Sequence, residues 1–214
     1  MGKKIGVLGS GQVAQVLAAG FKKHGYDVKI GSREPKKLAE FATKSGIPTG
    51  TFAEVAAFAE TVMLAVKGGA ALDVLKLAGD ANLAGKVVLD ATNPISDEPP
   101  QNGVVRYFTA QNDSLMERLQ KAFPKARLVK AFNSVGNAFM VNPTFPGGPP
   151  TMFICGNDAA AKTEATTILT QFGWATADMG MVESARPIEA LCQLWCAPGM
   201  LRNEWTHAFK LLKL

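Results

Sequence analysis

The chain has 214 residues, of which 47% are hydrophobic and 19% are charged, and its formal net charge is +5. This composition can build a packed core and excludes a chain that is disordered over most of its length. No apolar run reaches the roughly 18–20 residues needed to cross a bilayer, and the first residues lack a signal-peptide cleavage pattern. Three cysteines without paired spacing argue against a disulfide scaffold. We therefore expect a cytoplasmic protein with no membrane partner.

Hydrophobic periodicity predicts strands and helices in alternation along the chain. The predicted strands cover residues 4–8, 28–30, 62–66, 87–91, 127–131, 152–155 and 174–178. The predicted helices cover residues 11–24, 35–45, 51–59, 70–78, 114–123 and 158–172. Residues 183–214 are predicted to be helical, with a break at Pro198-Gly199.

This alternation predicts an α/β fold of Rossmann type, doubly wound around a mostly parallel sheet, with a small helical C-terminal extension. The absence of internal repeats and of a low-complexity linker favours one domain over residues 1–214. Residues 180–214 would form its helical extension.

A glycine-rich turn joins the first strand to the first helix and predicts a dinucleotide site. Gly9 permits the tight turn, Gly11 lets the backbone approach a pyrophosphate, and Ala14 allows close packing of helix on strand. The free N–H groups of the first helical turn favour an anion there. The predicted phosphate-binding residues are Gly9, Ser10, Gly11, Gln12 and Val13.

The tip of the second strand predicts which dinucleotide is bound. An NAD site places a carboxylate there, but the tip reads Ile30-Gly31-Ser32-Arg33. The Ser32 hydroxyl and the Arg33 guanidinium suit a 2′-phosphate instead, and Lys37 would face the same region. The sequence therefore predicts NADP(H), and residues 1–214 are interpreted as one NADP-binding domain. The local basic excess suits this small anionic molecule, and no nucleic-acid partner is expected.

The carboxyl ends of later strands should border the nicotinamide, because ligands of open α/β sheets lie outside those ends. The residues at these ends are Ala65, Val66, Lys67, Asn93, Pro94, Asn133, Ser134, Val135, Gly136 and Asn137.

We predict no catalytic side chain. The two histidines, His24 and His207, are more simply explained as structural or surface residues, although His207 could approach the cleft. Cys192 and Cys196 have no further ligand nearby, so no metal site is expected. Hydride transfer between two heterocycles requires close stacking but no protein acid or base.

Five motifs resemble the NADPH-dependent F420 reductase family. They are Gly9-Ser-Gly-Gln-Val13, Ile30-Gly-Ser-Arg-Glu34, Lys130-Ala-Phe-Asn133, Ile154-Cys-Gly-Asn-Asp158 and Ala208-Phe-Lys-Leu-Leu212. The chain is also similar to the NADPH-binding domain of the STEAP metalloreductases. The first two motifs are shared by many NADP enzymes, whereas the last two are more specific.

The resemblance implies a homodimer that moves hydride between NADP(H) and a small-molecule acceptor, either the deazaflavin F420 or a flavin such as FMN or FAD. It implies that Ser10–Val13 bind the pyrophosphate and that Ser32, Arg33 and Lys37 hold the 2′-phosphate. Val66, Asn93 and Asn137 would border the ribose and nicotinamide. The acceptor side would comprise Asn133, Ser134, Val135, Gly136, Thr206 and His207, with Thr206 near the acceptor ring.

Three positions depart from the archaeal members of that family and leave the acceptor open. Asn133 stands where some carry His, Lys67 replaces a Pro, and His207 replaces a Gly. The alternatives are a free flavin or ferric reductase of STEAP-like type and a non-catalytic NADP-sensing protein. A β-hydroxyacid dehydrogenase ranks last, because too few residues follow Met179 for its second domain.

Overall fold

The computed structural model of the protein describes residues 2–213, and six of its strands form one parallel sheet. Along the chain these strands are β1 (Lys4–Leu8), β2 (Asp27–Gly31), β3 (Thr49–Gly50), β4 (Thr61–Leu64), β5 (Val87–Asp90) and β6 (Arg127–Lys130). Their spatial order is β3-β2-β1-β4-β5-β6, and every neighbouring pair is parallel. This order is that of a Rossmann sheet, so the predicted fold class is confirmed.

Helices cover both faces of this sheet. They are α1 (Gln12–Lys23), α2 (Ala39–Ser45), α3 (Phe52–Phe58), α4 (Gly68–Ala78), α5 (Asp80–Leu83) and α6 (Leu115–Ala122). Alternate side chains of β4 pack in different hydrophobic cores, one on each face of the sheet. Met63 packs in the first core, and Val62 and Leu64 pack in the second. Burial on both faces explains why this strand is a continuous apolar run in the sequence.

Two further strands form a separate small sheet. β7 (Thr151–Ile154) and β8 (Ala175–Asp178) pair in parallel, connected by α7 (Ala159–Gln171). An antiparallel bridge between Lys130 and Cys155 joins this sheet to β6. Both strands were predicted, but they form this pair rather than extending the main sheet.

The C-terminal helix differs from the prediction in two respects. α8 (Ala185–Arg202) continues through Pro198, where a break was expected. Proline has no N–H, so it removes the hydrogen bond to the carbonyl of Leu194, four residues earlier, without ending the helix here. The helix ends at Asn203, which adopts the left-handed conformation with φ 57°.

Residues 203–213 contain no helix, so the helical prediction for the C-terminus is wrong beyond Arg202; Leu214 lies outside the described residues. This C-terminal strap (203–213) folds back along the protein. Its Phe209 carbonyl accepts a hydrogen bond from the N–H of Thr151, at the start of β7. Within residues 2–213, the helices are too short or too polar to cross a bilayer.

Candidate functional site

The turn after β1 has the geometry of a phosphate-binding loop. Gly9 has φ +143°, and a Cβ atom there would lie 2.1 Å from the carbonyl oxygen of Ala65. Only glycine therefore allows the ends of β1 and β4 to approach this closely. Gly11 is the N-cap of α1 and receives no side-chain hydrogen bond, and the first turn carries no acidic residue. The N–H groups of this helix end thus remain available to an anion.

A cleft of about 580 Å³ runs from this turn across the carboxyl ends of the parallel strands. It brings together fourteen of the predicted residues, which are Gly9, Ser10, Gly11, Gln12, Val13, Ser32, Arg33, Lys37, Ala65, Val66, Lys67, Asn93, Asn133 and Val135. The sequence could place them at one edge because the ends of parallel strands meet there.

At one end of the cleft, the tip of β2 presents cationic groups. Arg33 is exposed, and nothing within residues 2–213 forms a hydrogen bond or ion pair with its guanidinium. Lys37 Nζ lies 2.9 Å from a carboxylate oxygen of Glu34, with both side chains well exposed. The Ser32 hydroxyl is buried and accepts a hydrogen bond from the Glu34 N–H at 3.2 Å. The cationic groups at this end can therefore bind a dianionic phosphate. The sequence did not predict that the Glu34 carboxylate pairs with one of them, Lys37.

Two asparagines near the middle of the cleft hold each other in place. The Asn93 amide donates to the Asn133 carbonyl at 2.7 Å, and Asn133 Nδ2 donates to Asn93 Oδ1 at 3.1 Å and to the Ile188 carbonyl at 2.8 Å. These donors fix the orientation of the Asn133 amide. Its Oδ1 is buried without a partner within residues 2–213, although the residue is only 4% exposed. A buried acceptor of this kind calls for a donor from a ligand or water.

The inner wall of the cleft is aromatic and sulfur-rich. Trp195 lines it together with Cys192 and Cys196. The Trp195 ring stacks on His207 at 5.1 Å between centroids, and its Nε1 donates to the His207 carbonyl at 2.9 Å. The C-terminal strap therefore fixes the ring that forms this wall.

Six predicted residues do not line the cleft: Pro94, Ser134, Gly136, Asn137, Thr206 and His207. Gly136 and His207 instead support Trp195; a Cβ at Gly136 would lie 3.0 Å from its ring. Asn137 begins a short 3-10 helix (Asn137–Phe139), and Thr206 is exposed on the C-terminal strap. Their proposed roles toward a ligand remain predictions.

Ten lining residues were not singled out as binding residues: Glu34, Phe52, Ala70, Val74, Ala91, Phe132, Met140, Cys192, Trp195 and Cys196. Ala91 follows β5 directly and Phe132 lies two residues after β6, so both are in the segments at strand ends that were expected to border the nicotinamide. The α8 residues could not be placed from the sequence, because periodicity does not show where a terminal helix docks.

A buried ionic cluster lies beneath the cleft. Lys130 Nζ is 2.7 Å from Asp90 Oδ2 and 2.8 Å from Glu189 Oε1, with all three residues almost inaccessible. Burial alone would lower the pKa of Lys130, but the attraction of Asp90 and Glu189 outweighs it and raises that pKa. Glu189 also accepts the first N–H groups of α6, from Leu115 and Met116. The cluster thus connects α8 to β5, to β6 and to the start of α6.

Comparisons with known proteins agree with this geometry. A sequence profile described as NADP oxidoreductase, coenzyme F420-dependent, matches residues 4–94. A crystal structure from Arthrobacter sp. FB24, of a protein provisionally named an F420-dependent NADP-reductase, superposes with a TM-score of 0.93. That protein is 34% identical, and the match covers 99% of this chain and 100% of the other.

Two curated relatives point in the same direction. Rat metalloreductase STEAP3 is 32% identical over 203 residues, which are 92% of this chain and 39% of STEAP3. The chain thus spans about two fifths of that relative. The F420-dependent NADP reductase of Methanothermobacter thermautotrophicus is 28% identical, with 89% of this chain and 87% of that protein covered.

The Rossmann sheet and its phosphate-binding cleft, with these relatives, define the class of the protein as an NADP-dependent oxidoreductase. Within that class, the chain belongs to the family of coenzyme F420-dependent NADP oxidoreductases.

Proposed function

We propose that the protein transfers a hydride between NADP(H) and a planar flavin-like acceptor, with F420 as the leading candidate. The observation that carries the proposal is the composition of the cleft along its length. One end offers helix N–H groups and the Arg33 guanidinium for phosphates, and the other offers amides, thiols and the Trp195 ring. Such an inner end suits two stacked heterocycles, which exchange a hydride without a protein acid or base.

The residues of the chain fit NADP(H). The N-terminus of α1 would bind the pyrophosphate, and Arg33 with Lys37 would hold the 2′-phosphate. The unsatisfied Oδ1 of Asn133 would accept a hydrogen bond from the carboxamide N–H of the nicotinamide. When bound, the nicotinamide supplies the hydride; the protein holds the ring and excludes water from the inner wall.

Anaerobic stopped-flow measurements test the acceptor. Oxidation of NADPH is followed with F420, FMN and FAD offered separately, and the reverse reaction with NADP⁺ and reduced F420. We expect rapid oxidation with F420 and slower oxidation with the flavins. If none of the three acceptors is reduced, the proposed activity is wrong.

A second candidate is a reductase of free flavin, or of ferric ions through bound flavin. The specific support is the 32% identity to STEAP3, which is called a metalloreductase. Faster NADPH oxidation with FMN or FAD than with F420 would favour this activity.

We further propose a homodimer in a reducing compartment, the cytoplasm. The exposed face of α8 carries Leu194 and Leu201, which are 61% and 57% exposed and would be covered by a second copy. All three cysteines are free thiols, as reducing conditions favour.

A further inference from the structure

Cys192 and Cys196 form a thiol pair that the proposed hydride transfer does not use. They lie one turn apart on α8, and their Sγ atoms are 3.9 Å apart. The two residues are 5% and 8% exposed, and both line the nucleotide cleft on either side of Trp195 in the sequence. The sulfur atoms are therefore close together and reachable through the cleft.

The geometry of the pair disfavours a disulfide. Residues four apart on a helix have Cβ atoms roughly 5–6 Å apart, whereas a disulfide needs Cβ atoms about 3.5–4.5 Å apart and sulfurs at about 2.0 Å. Forming that bond would deform α8. Two metal–sulfur bonds of about 2.3 Å can span up to about 4.6 Å, so a cation fits between the sulfurs with side-chain rotation alone.

The surroundings suit a soft cation that is satisfied by two ligands. The pair packs in an apolar cluster with Val105 and Trp195, against the ring of Tyr107. The Tyr107 hydroxyl is already engaged, since it donates to the Glu189 carbonyl at 2.6 Å. The hydrogen bond between the two thiols lowers the pKa of Cys196 and, together with burial, raises that of Cys192, so the second proton must be displaced by the cation itself. Thiolate ligands in an apolar shell select soft over hard metals.

We propose that Cys192 and Cys196 together bind one soft univalent cation of the cuprous type in the wall of the nucleotide cleft. Two sulfur–metal bonds form, each thiol releases its proton to solvent, and no atom changes oxidation state. The affinity consequently increases with pH. The proposal differs from the sequence prediction, which expected no metal site because Cys192 and Cys196 have no further ligand nearby.

The experiment transfers Cu(I) from its coloured bicinchoninate complex to the nucleotide-free protein under anaerobic conditions. We expect one Cu(I) bound per chain, with about two protons released into a weakly buffered solution. The Cys192→Ser and Cys196→Ser variants should each lose at least roughly 100-fold in affinity. Cys155→Ala is the matched control and should bind as the wild type does, because Cys155 packs in another core and burial raises its pKa to about 12.

Circular dichroism and thermal unfolding report whether each variant is folded. Failure to withdraw Cu(I) from the complex would overturn the proposal, as would full affinity in either serine variant. Silver(I) titration of the same four proteins, with the same expected pattern, checks that the result depends on thiolate binding rather than on copper redox chemistry. None of these measurements uses an acceptor, so their outcome is independent of the hydride-transfer activity.

Discussion

At the scale of single residues, the cationic tip of β2 decides between the two dinucleotides. Arg33 has no partner within residues 2–213, so its guanidinium is available for two parallel hydrogen bonds to a phosphate. Arg33→Ala should weaken NADPH binding by roughly 10–100-fold and leave NADH binding nearly unchanged. Fluorescence titration with both dinucleotides measures this. Equal weakening of the two would contradict the assignment of Arg33 to the 2′-phosphate.

Asn133 gives a second prediction at this scale. Its unsatisfied Oδ1 would pair with the carboxamide N–H of the nicotinamide, which the 3-acetylpyridine analogue of NADPH lacks. A buried acceptor without its donor costs about 1–3 kcal/mol, so the wild type should prefer NADPH over the analogue. Asn133→Ala should abolish that preference, as measured by the ratio of the two dissociation constants.

Ser134→Ala is the control for Asn133, since Ser134 is a buried neighbour that does not line the cleft. It should leave the ratio of dissociation constants unchanged. An unaltered ratio in Asn133→Ala would mean that Oδ1 does not recognise the carboxamide.

At the scale of elements, the buried cluster of Lys130, Asp90 and Glu189 connects α8 to the sheet. Lys130→Met would leave two buried carboxylates without their cation, and breaking a buried ion pair in this way costs about 3–5 kcal/mol of unfolding free energy. Lys76→Met removes a comparable but exposed pair with Asp73 and should cost at most about 1 kcal/mol. Urea unfolding of both variants measures the difference, and equal losses would argue against the cluster as a structural tie.

The elements also show what a sequence can reveal. β4 and β5 were predicted because strands buried on both faces are continuous apolar runs. β3 was missed, since two residues carry no periodicity. The break predicted at Pro198 was wrong: proline lacks the N–H of an interior helical residue, yet α8 continues through it. The ionic cluster was missed for a related reason: its three members lie far apart in the chain, and each taken alone resembles a turn or surface residue.

The candidate site was predictable to a similar extent. The residues at the ends of the first strands were identified because the glycine turn and the parallel topology place them together. The residues of the inner wall could not be identified from the sequence, because the docking of α8 depends on contacts such as that between Asn133 and Ile188. In the C-terminal strap, His207 packs against Trp195 and does not line the cleft, so its role beside the acceptor stays a prediction.

At the scale of the whole molecule, the apolar face of α8 predicts self-association. Light scattering should give a mass of twice the 22.7 kDa of one chain. The double variant Leu194→Glu and Leu201→Glu should be monomeric yet folded, because both side chains are mostly exposed. Leu77→Glu changes an equally exposed leucine on α4 and should leave the dimer intact. A wild-type monomer at micromolar concentration would contradict the proposed homodimer.

The position of Glu189 has a consequence for how the molecule can be divided. A fragment ending after β8 would retain every proposed phosphate-binding residue. Judged by its sequence motifs alone, it would look like a complete dinucleotide-binding domain. It would lack one counter-ion of Lys130 and the carboxylate that receives the first amides of α6. We therefore expect that this fragment does not fold on its own, and that fusing it to another enzyme without α8 yields an insoluble product.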